Sequence, residues 1–417
     1  MPRFWSTAAP VLPSRPGLAR RVRAASVCAV LWAISCVDVT ASPLPHAAYI
    51  WQRAWHAGVT SSLAVAATQL DGFIVLAAEM GASRTHRVAY DPAALAASGR
   101  AIGLALRVNA GTVLSEVPPL AARLVAAARS NGLSLAELQL DYDCPESKLD
   151  AYRVLVDTVR RRLAPTPVTI TALPSWLRQP AFSNLVAATD GYVLQVHALD
   201  ASLQLCDAEQ ARSAVARADD FGIPFRVALP TYGHLVATDR DGRVLGVASE
   251  ASIPSWPSDA RVHEVRSDSS LIAGLVRAWS LQPQSHLRGF IWYRLPVDGD
   301  RLNWSWATLS AIVSGRVPRP DLALRLRQDR PGLVEVEVAN HGDAGADTPV
   351  DIRVTWRDAE LLACDALAGF AVGPRASPGA EPLIFSGRPR LAPAASRAIG
   401  WLRFQGDREV RCEARFD

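Results

Sequence analysis

One alternation repeats along most of this chain and restricts its fold more than any other feature. A short run rich in Val, Ile and Leu ends in polar or aromatic residues, and an Ala/Leu/Arg-rich helical stretch follows. The runs are AAYIWQRAW (47–55), DGFIVLAAEM (71–80), AIGLALRVN (101–109), ELQLDYD (137–143), VTITALPSW (168–176), GYVLQVHAL (191–199), FRVALPTYGH (225–234) and RGFIWYRLP (288–296). Near-continuous apolar runs of this length suit strands buried on both faces, as parallel strands are. The intervening stretches read as helices: VPPLAARLVAAARSNG (117–132) has Pro near its start and Gly past its end, KLDAYRVLVDTVRRRL (148–163) repeats apolar residues every three or four, and DAEQARSAVARADDFG (207–222) follows the same rule. Eight strand–helix units predict an α/β fold, a (β/α)8 TIM barrel over 45–315, about 250 residues being usual for that architecture. An open doubly wound sheet is the alternative, and it explains a count of eight less simply.

Two segments depart from the alternation. VATDRDGRVLGVAS (236–249) has two extended runs around Asp241-Gly242, a favourable hairpin dipeptide. This predicts a hairpin inserted after the seventh strand, at the rim of the barrel, followed by a helix over 267–279. Beyond SGRVPRPD (314–321), six runs at 321–328, 333–340, 350–356, 382–387, 399–405 and 409–416 alternate apolar and polar residues with no helical stretch between them. They predict a small all-β, immunoglobulin-like sandwich accessory domain over 320–417, roughly 95 residues.

The N-terminus reads differently again. Basic ARRVR (19–23) precedes apolar AASVCAVLWAI (24–34), and small residues follow at Val39-Thr40-Ala41. This is the pattern of a secretory signal over 1–41, and the apolar run is short for a membrane span. An uncleaved anchor is the rival reading. Cys36, in AISC, resembles the cysteine of a bacterial lipobox, which would make the chain an outer-membrane lipoprotein; otherwise export leads to the periplasm or the medium. Exported chains favour disulfides. Domain membership pairs Cys144 with Cys206 and Cys364 with Cys412, and no CxxC or His-rich pair supports a metal instead. The charge balance, 44 basic against 40 acidic residues for a net +4, has no Arg/Lys-rich tract in the body of the chain. A nucleic-acid partner is therefore not expected.

In such a barrel the working residues stand at the C-terminal ends of the strands. Those ends carry Tyr49, Trp51 and Trp55; Glu79; Arg107 and Asn109; Asp141 and Asp143; Trp176; Gln195 and His197; Tyr232 and His234; and Trp292, Tyr293 and Arg294. The set is rich in aromatics, which stack on sugar rings, beside polar groups that bond hydroxyls. Asp141 and Asp143, two positions apart, point to one side of their strand. Two like charges there raise one proton affinity, the asymmetry that acid–base chemistry uses. Asp141, Asp143, Glu79 and Glu146 are the candidate catalytic carboxyls. Trp51, Asn109, Trp176, Gln195, His197, Tyr232, His234, Trp292, Tyr293 and Arg294 are the candidate substrate-binding residues. The bland alternatives are a polar barrel rim for Asp141, a turn cap for Asp143, a first-turn helix acid for Glu146, and core packing for Trp176, Trp292 and Tyr232. No cofactor or resident metal is expected.

The strand endings LQLDYDCPESKLDAY, TALPSWL, LPTYG and GFIWYRLP resemble the bacterial domain-of-unknown-function family 3142, over most of 45–315. The resemblance implies a glycosidase-like barrel. More distantly, the fourth strand is similar to the DxxDxDxE signature of chitinase-like family 18 glycoside hydrolases, in which the glutamate is the general acid and the aspartate before it assists the substrate's N-acetyl group. Asp141 and Asp143 match the last two aspartates. Leu138 stands for the first, Pro145 for the glutamate, and Glu146 comes one residue later, so that mechanism does not carry over intact. Trp292 stands where that family often places a sugar-stacking tryptophan. These features give three readings: an exported glycoside hydrolase acting on a polysaccharide or glycoconjugate; a non-catalytic glycan-binding or envelope-assembly protein on a hydrolase-like barrel; and a metal-assisted hydrolase using Asp141, Asp143, His197 and His234.

Overall fold

The structure, a computed structural model, describes residues 43–197, 204–248, 255–373, 382–406 and 410–417. The expected signal segment and Cys36 lie outside these residues, and no described helix is long and apolar enough to cross a membrane.

Eight strands form the body: β1 (His46–Ile50), β2 (Gly72–Met80), β3 (Ala101–Val108), β4 (Leu135–Asp141), β5 (Val168–Ala172), β6 (Tyr192–Gln195), β7 (Phe225–Pro230) and β8 (Leu287–Tyr293). Each pairs in parallel with the next, and β8 returns to β1, so the sheet closes into a barrel. A short strand, Thr85–Arg87, adds antiparallel to the far end of β2. Eight helices cover the outside: α1 (Ala57–Ala66), α2 (Pro92–Ala97), α3 (Val117–Ser130), α4 (Leu149–Leu163), α5 (Pro180–Ala187), α6 (Ala208–Asp219), α7 (Ser269–Leu281) and α8 (Trp306–Val313). The expected (β/α)8 architecture is therefore present.

Local chemistry explains the boundaries. Pro118 and Pro119 sit in the first turn of α3, where their missing amide hydrogens leave no helix bond unmade. Asp207 and Asp268 cap α6 and α7, their carboxylates accepting from Gln210 N and from Ser270 and Leu271 N. Tyr152 on α4 donates to the Leu140 carbonyl at 3.1 Å, which ties this helix to the last turn of β4. The strand-helix layer holds the main apolar core. A second, smaller apolar set, including Tyr49, Ile74, Leu76, Ala105, Val193, Ala228 and Ile291, fills the barrel itself.

The hairpin expected after β7 is formed by Gly233–Thr238 and Val244–Ala248, and Asp239 closes its turn by accepting from the amides of Asp241 and Arg243. A third strand, Arg261–Arg266, pairs on its other side. The insertion leaves β7 through Gly233, where a Cβ would come within 2.5 Å of the Val265 carbonyl oxygen. Only glycine lets the two chains approach this closely.

The C-terminal part is two four-stranded antiparallel sheets. One orders Leu322–Arg330, Leu333–Asn340, Ser396–Phe404 and Leu361–Ala366; the other orders Ala371–Val372, Leu383–Gly387, Val350–Arg357 and Arg411–Phe416. Strict alternation along Leu333–Asn340 puts Val334, Val336 and Val338 in the shared core. The strands at 361–366 and 371–372 were not expected. Asp343 fastens this part to the chain leaving the barrel: it takes Arg319 N at 2.7 Å and pairs with Arg316, while its carbonyl accepts from Thr308 on α8.

No disulfide is formed among the described residues, against the expected pairings, and Cys144 and Cys206 stand as thiols. Cys144 and Cys206 are both packed in the apolar layer, where burial pushes each thiol up to about 11, away from the reactive thiolate. Cys364 and Cys412 lie on strands of opposite sheets.

Candidate active site

Alternation along each barrel strand decides which side chains reach the interior. On β4, Leu138 and Leu140 pack outward against the helices, so Glu137, Gln139 and Asp141 point inward. Inside the barrel Glu137 is ion-paired with Arg226 and accepts from Thr169 Oγ1, both at 2.6 Å. Asp141 ends the strand at the C-terminal mouth. There a cleft of about 490 Å³ opens, lined from every strand by residues including Trp51, Glu79, Arg107, Asp141, Asp143, Thr171, Gln195, His197, Tyr232 and Tyr293.

The cleft has two unlike halves. Strands β2 to β5 supply a charged one. Asp141 is buried; its Oδ1 accepts from Thr171 Oγ1 at 2.8 Å, and its Oδ2 lies 3.2 Å from Arg107 Nη1. Burial is the largest influence on it and raises its pKa to about 6, against the opposing pull of Arg107 and with a further push from Asp143. Asp143 follows the strand, with 47% of its side chain exposed, and its Oδ2 lies 3.5 Å from Nη2 of the same guanidinium. Arg107 Nε donates to Asn109 Oδ1 at 3.1 Å, which fixes the third edge of the fork. Glu79 is held in a bidentate pair by Arg53, at 2.8 and 3.0 Å, and this hydrogen bonding keeps its carboxyl below the usual range.

Strands β6 to β8 and β1 supply a mostly aromatic half. Tyr293 is central: its ring lies 5.7 Å from Tyr49, 5.5 Å from Trp51, 5.8 Å from His197 and 5.4 Å from Tyr232. His197 Nδ1 is hydrogen-bonded to the Tyr232 hydroxyl at 3.2 Å. Burial lowers the His197 pKa to about 3 and also lowers that of His234; it pushes Tyr232 up to about 12 and Tyr293 up as well. These groups are therefore uncharged at neutral pH. Arg294, at the rim, lies 3.2 Å from Asp300.

The structure thus gathers Asp141, Asp143, Glu79, Trp51, Asn109, Gln195, His197, Tyr232, His234, Tyr293 and Arg294 around one cleft. Three candidates fall elsewhere. Trp292 alternates with the inward-facing Tyr293, so it faces the helices; it is fully buried and donates to His46 Nδ1 at 3.2 Å. Trp176 lies in the 3-10 turn Pro174–Arg178 and packs on Tyr152 and Phe182. Glu146 opens the short 3-10 turn before α4, is exposed, and accepts from Gln179 Nε2. Two polar cleft residues were not anticipated, Arg53 and Thr171. Arg107 and Tyr49 were recognised as strand ends but not as members of the site. Among the described residues, no group of three or more His, Cys, Asp or Glu side chains is arranged to hold a metal ion. The two cleft histidines face the aromatic half, away from the Asp141–Arg107 bridge.

Residues 97–298 match the family model described as a domain of unknown function (DUF3142), and residues 323–405 match a second, also described as a domain of unknown function (DUF8456). No curated protein sequence matches the chain. Among solved structures, the chain is similar to the spore cortex-lytic enzyme SleL of Bacillus megaterium QM B1551, at 10% identity and a TM-score of 0.49, covering 66% of this chain and 74% of that one. It is also similar to a chitinase from Chromobacterium violaceum ATCC 12472, at 12% identity and 0.48, covering 65% and 98%, and to one from Bacteroides thetaiotaomicron, at 13% and 0.45, covering 61% and 90%. The closed strand order, and not these distant likenesses, carries the barrel assignment. The family resemblance read from the strand endings is borne out: the segment holding β3 to β8 matches the domain of unknown function DUF3142.

Proposed function

We propose that this chain is an exported glycoside hydrolase-like protein acting on a polysaccharide or glycoconjugate at the C-terminal face of its barrel. The observation that carries this reading is the Asp141–Arg107–Asp143 bridge on the floor of an aromatic-lined cleft. Glycoside hydrolysis generally uses two carboxyl groups flanking the scissile bond. Asp143, the more exposed, is the group that meets substrate, as acid or assisting carboxylate. Asp141 has both oxygens engaged and acts behind it, setting its charge and position through Arg107. Glu79 is the second carboxyl, because Glu146 lies outside the cleft. Trp51, Tyr232 and Tyr293 supply ring faces for sugars. The basic–apolar–small pattern at 19–41 supports export.

A second reading, a glycan-binding or envelope-assembly protein without turnover, is favoured by two features. Pro145 occupies the place of the chitinase-like acid, and each cleft carboxylate is paired with an arginine. Screening the full chain against bacterial polysaccharides, with binding and released reducing ends measured together, separates the two. Release of reducing ends supports the hydrolase; binding without release removes it and leaves the second reading.

A further inference from the structure

Beside Tyr49 Oη, three polar atoms on the aromatic half of the cleft are buried and have no hydrogen-bond partner among the described residues: Gln195 Oε1, His197 Nε2 and His234 Nδ1. All three side chains line the cleft, and His197 is only 6% exposed. Buried polar atoms are nearly always paired, so a cluster of three unpaired ones facing a cavity marks groups that await a ligand or ordered water.

We propose that this half of the cleft is a recognition subsite for an uncharged, hydroxyl-bearing glycosyl residue, and that it discriminates against amino sugars and uronic acids. The inference rests on the reading of the cleft as a glycan site and names the class of sugar it takes. The chemistry of the three atoms supports it. Gln195 Oε1 only accepts, while each imidazole nitrogen accepts or donates according to tautomer. Sugar hydroxyls both donate and accept, so one ring edge satisfies the whole set. A carboxylate offers only acceptors and would face the amide oxygen of Gln195. An ammonium offers only donors and would lose its hydration against a wall without negative charge. Burial holds both imidazoles neutral, and Arg294 at the rim is already paired with Asp300, so neither charge finds an uncommitted counter-ion there.

The charged half does not compensate. Glu79 is held by Arg53, and Asp141 and Asp143 share Arg107. A charged sugar would there compete with a counter-ion already in place. Discrimination of this kind is large where a site is built to hydrogen-bond what it accepts.

The test is calorimetric titration of the full chain at pH 6, where amino sugars are protonated and uronates ionised, and about 0.15 M salt, an ionic strength that screens long-range attraction. Three sets of length-matched oligosaccharides are compared: neutral oligohexoses and N-acetylhexosamine oligomers, the de-N-acetylated counterparts of the latter, and oligouronates. The expected result is that at least one neutral oligomer binds about tenfold or more tightly than any charged one, a difference of about 1.4 kcal/mol. Gln195→Glu, which keeps the shape and adds a charge, is expected to narrow the gap between neutral and amino sugars. The proposal is overturned if amino or uronic sugars bind as tightly as neutral ones to the wild type, or if Gln195→Glu leaves the ranking unchanged. Neutral-sugar binding without released reducing ends supports the subsite while ending the hydrolase reading. Absence of binding by all three sets overturns both.

Discussion

Asp141 and Asp143 are held by different nitrogens of one guanidinium, Arg107 Nη1 at 3.2 Å and Nη2 at 3.5 Å. One carboxylate is buried and the other is about half exposed, so a single cation links the interior of the barrel to the substrate-facing surface. Whatever changes the charge on Asp141 changes how firmly Arg107 holds Asp143.

Arg107→Gln removes the cation that allows a buried Asp141 to ionise. We expect a loss of about 2 kcal/mol at pH 7.5, where leaving a carboxylate without its partner is costly. At pH 5 Asp141 carries a proton and the loss shrinks. Urea unfolding at the two pH values checks this, and equal losses at both would contradict it.

The proton affinity of Asp141 also shapes the stability curve of the wild type. Its folded pKa is about 6 against an ordinary 3.8, so between these values the native state binds more protons than the unfolded chain. Stability from this group is therefore fully present below pH 4 and is lost as pH rises through 6. The loss amounts to about 3 kcal/mol at most. Asp141→Asn should flatten that section of the curve in urea titrations from pH 4 to 7. A curve parallel to the wild type would show that Asp141 is not the group.

Trp176 and Trp292 predict stability effects instead of binding effects. Both are fully buried in the layer between barrel and helices. Replacement of either by Ala should cost about 3–5 kcal/mol in unfolding free energy, with glycan affinity of the folded protein unchanged. Lost affinity at unchanged stability would place them at the site after all.

Glu79→Gln separates a structural pair from a working carboxyl. Arg53 is 62% exposed, so the ion pair contributes less than about 1 kcal/mol. Stability should change within that limit, while release of reducing ends falls about 100-fold or more. Full turnover in this variant would remove Glu79 from the chemistry.

The eight strands and the cleft face were legible because β/α alternation and strand ends are encoded locally. The sidedness of single residues was not. In FIWY of β8 both faces are apolar, so nothing in the sequence says that Tyr293 turns inward and Trp292 outward; the alternation of that strand, with Ile291 in the barrel and Phe290 in the outer core, decides it. Glu146 was ambiguous for the same reason, because the chain leaves the extended state after Asp141 and strand alternation stops applying. Arg107 and Thr171 act on Asp141 across neighbouring strands, a relation set by register that no spacing within one segment reveals. In the sandwich, LLACDA at 361–366 has its apolar residues on one mostly exposed strand, which weakened the alternating pattern.

The most direct test of the central claim is the activity of Asp143→Asn beside the wild type on a glycan the wild type binds, with affinity and released reducing ends measured in the same samples. The account predicts that the wild type releases reducing ends, and that the variant binds within about threefold of it but releases them at least about 100-fold more slowly. Undiminished release by Asp143→Asn, or binding by the wild type with no release at all, would contradict it.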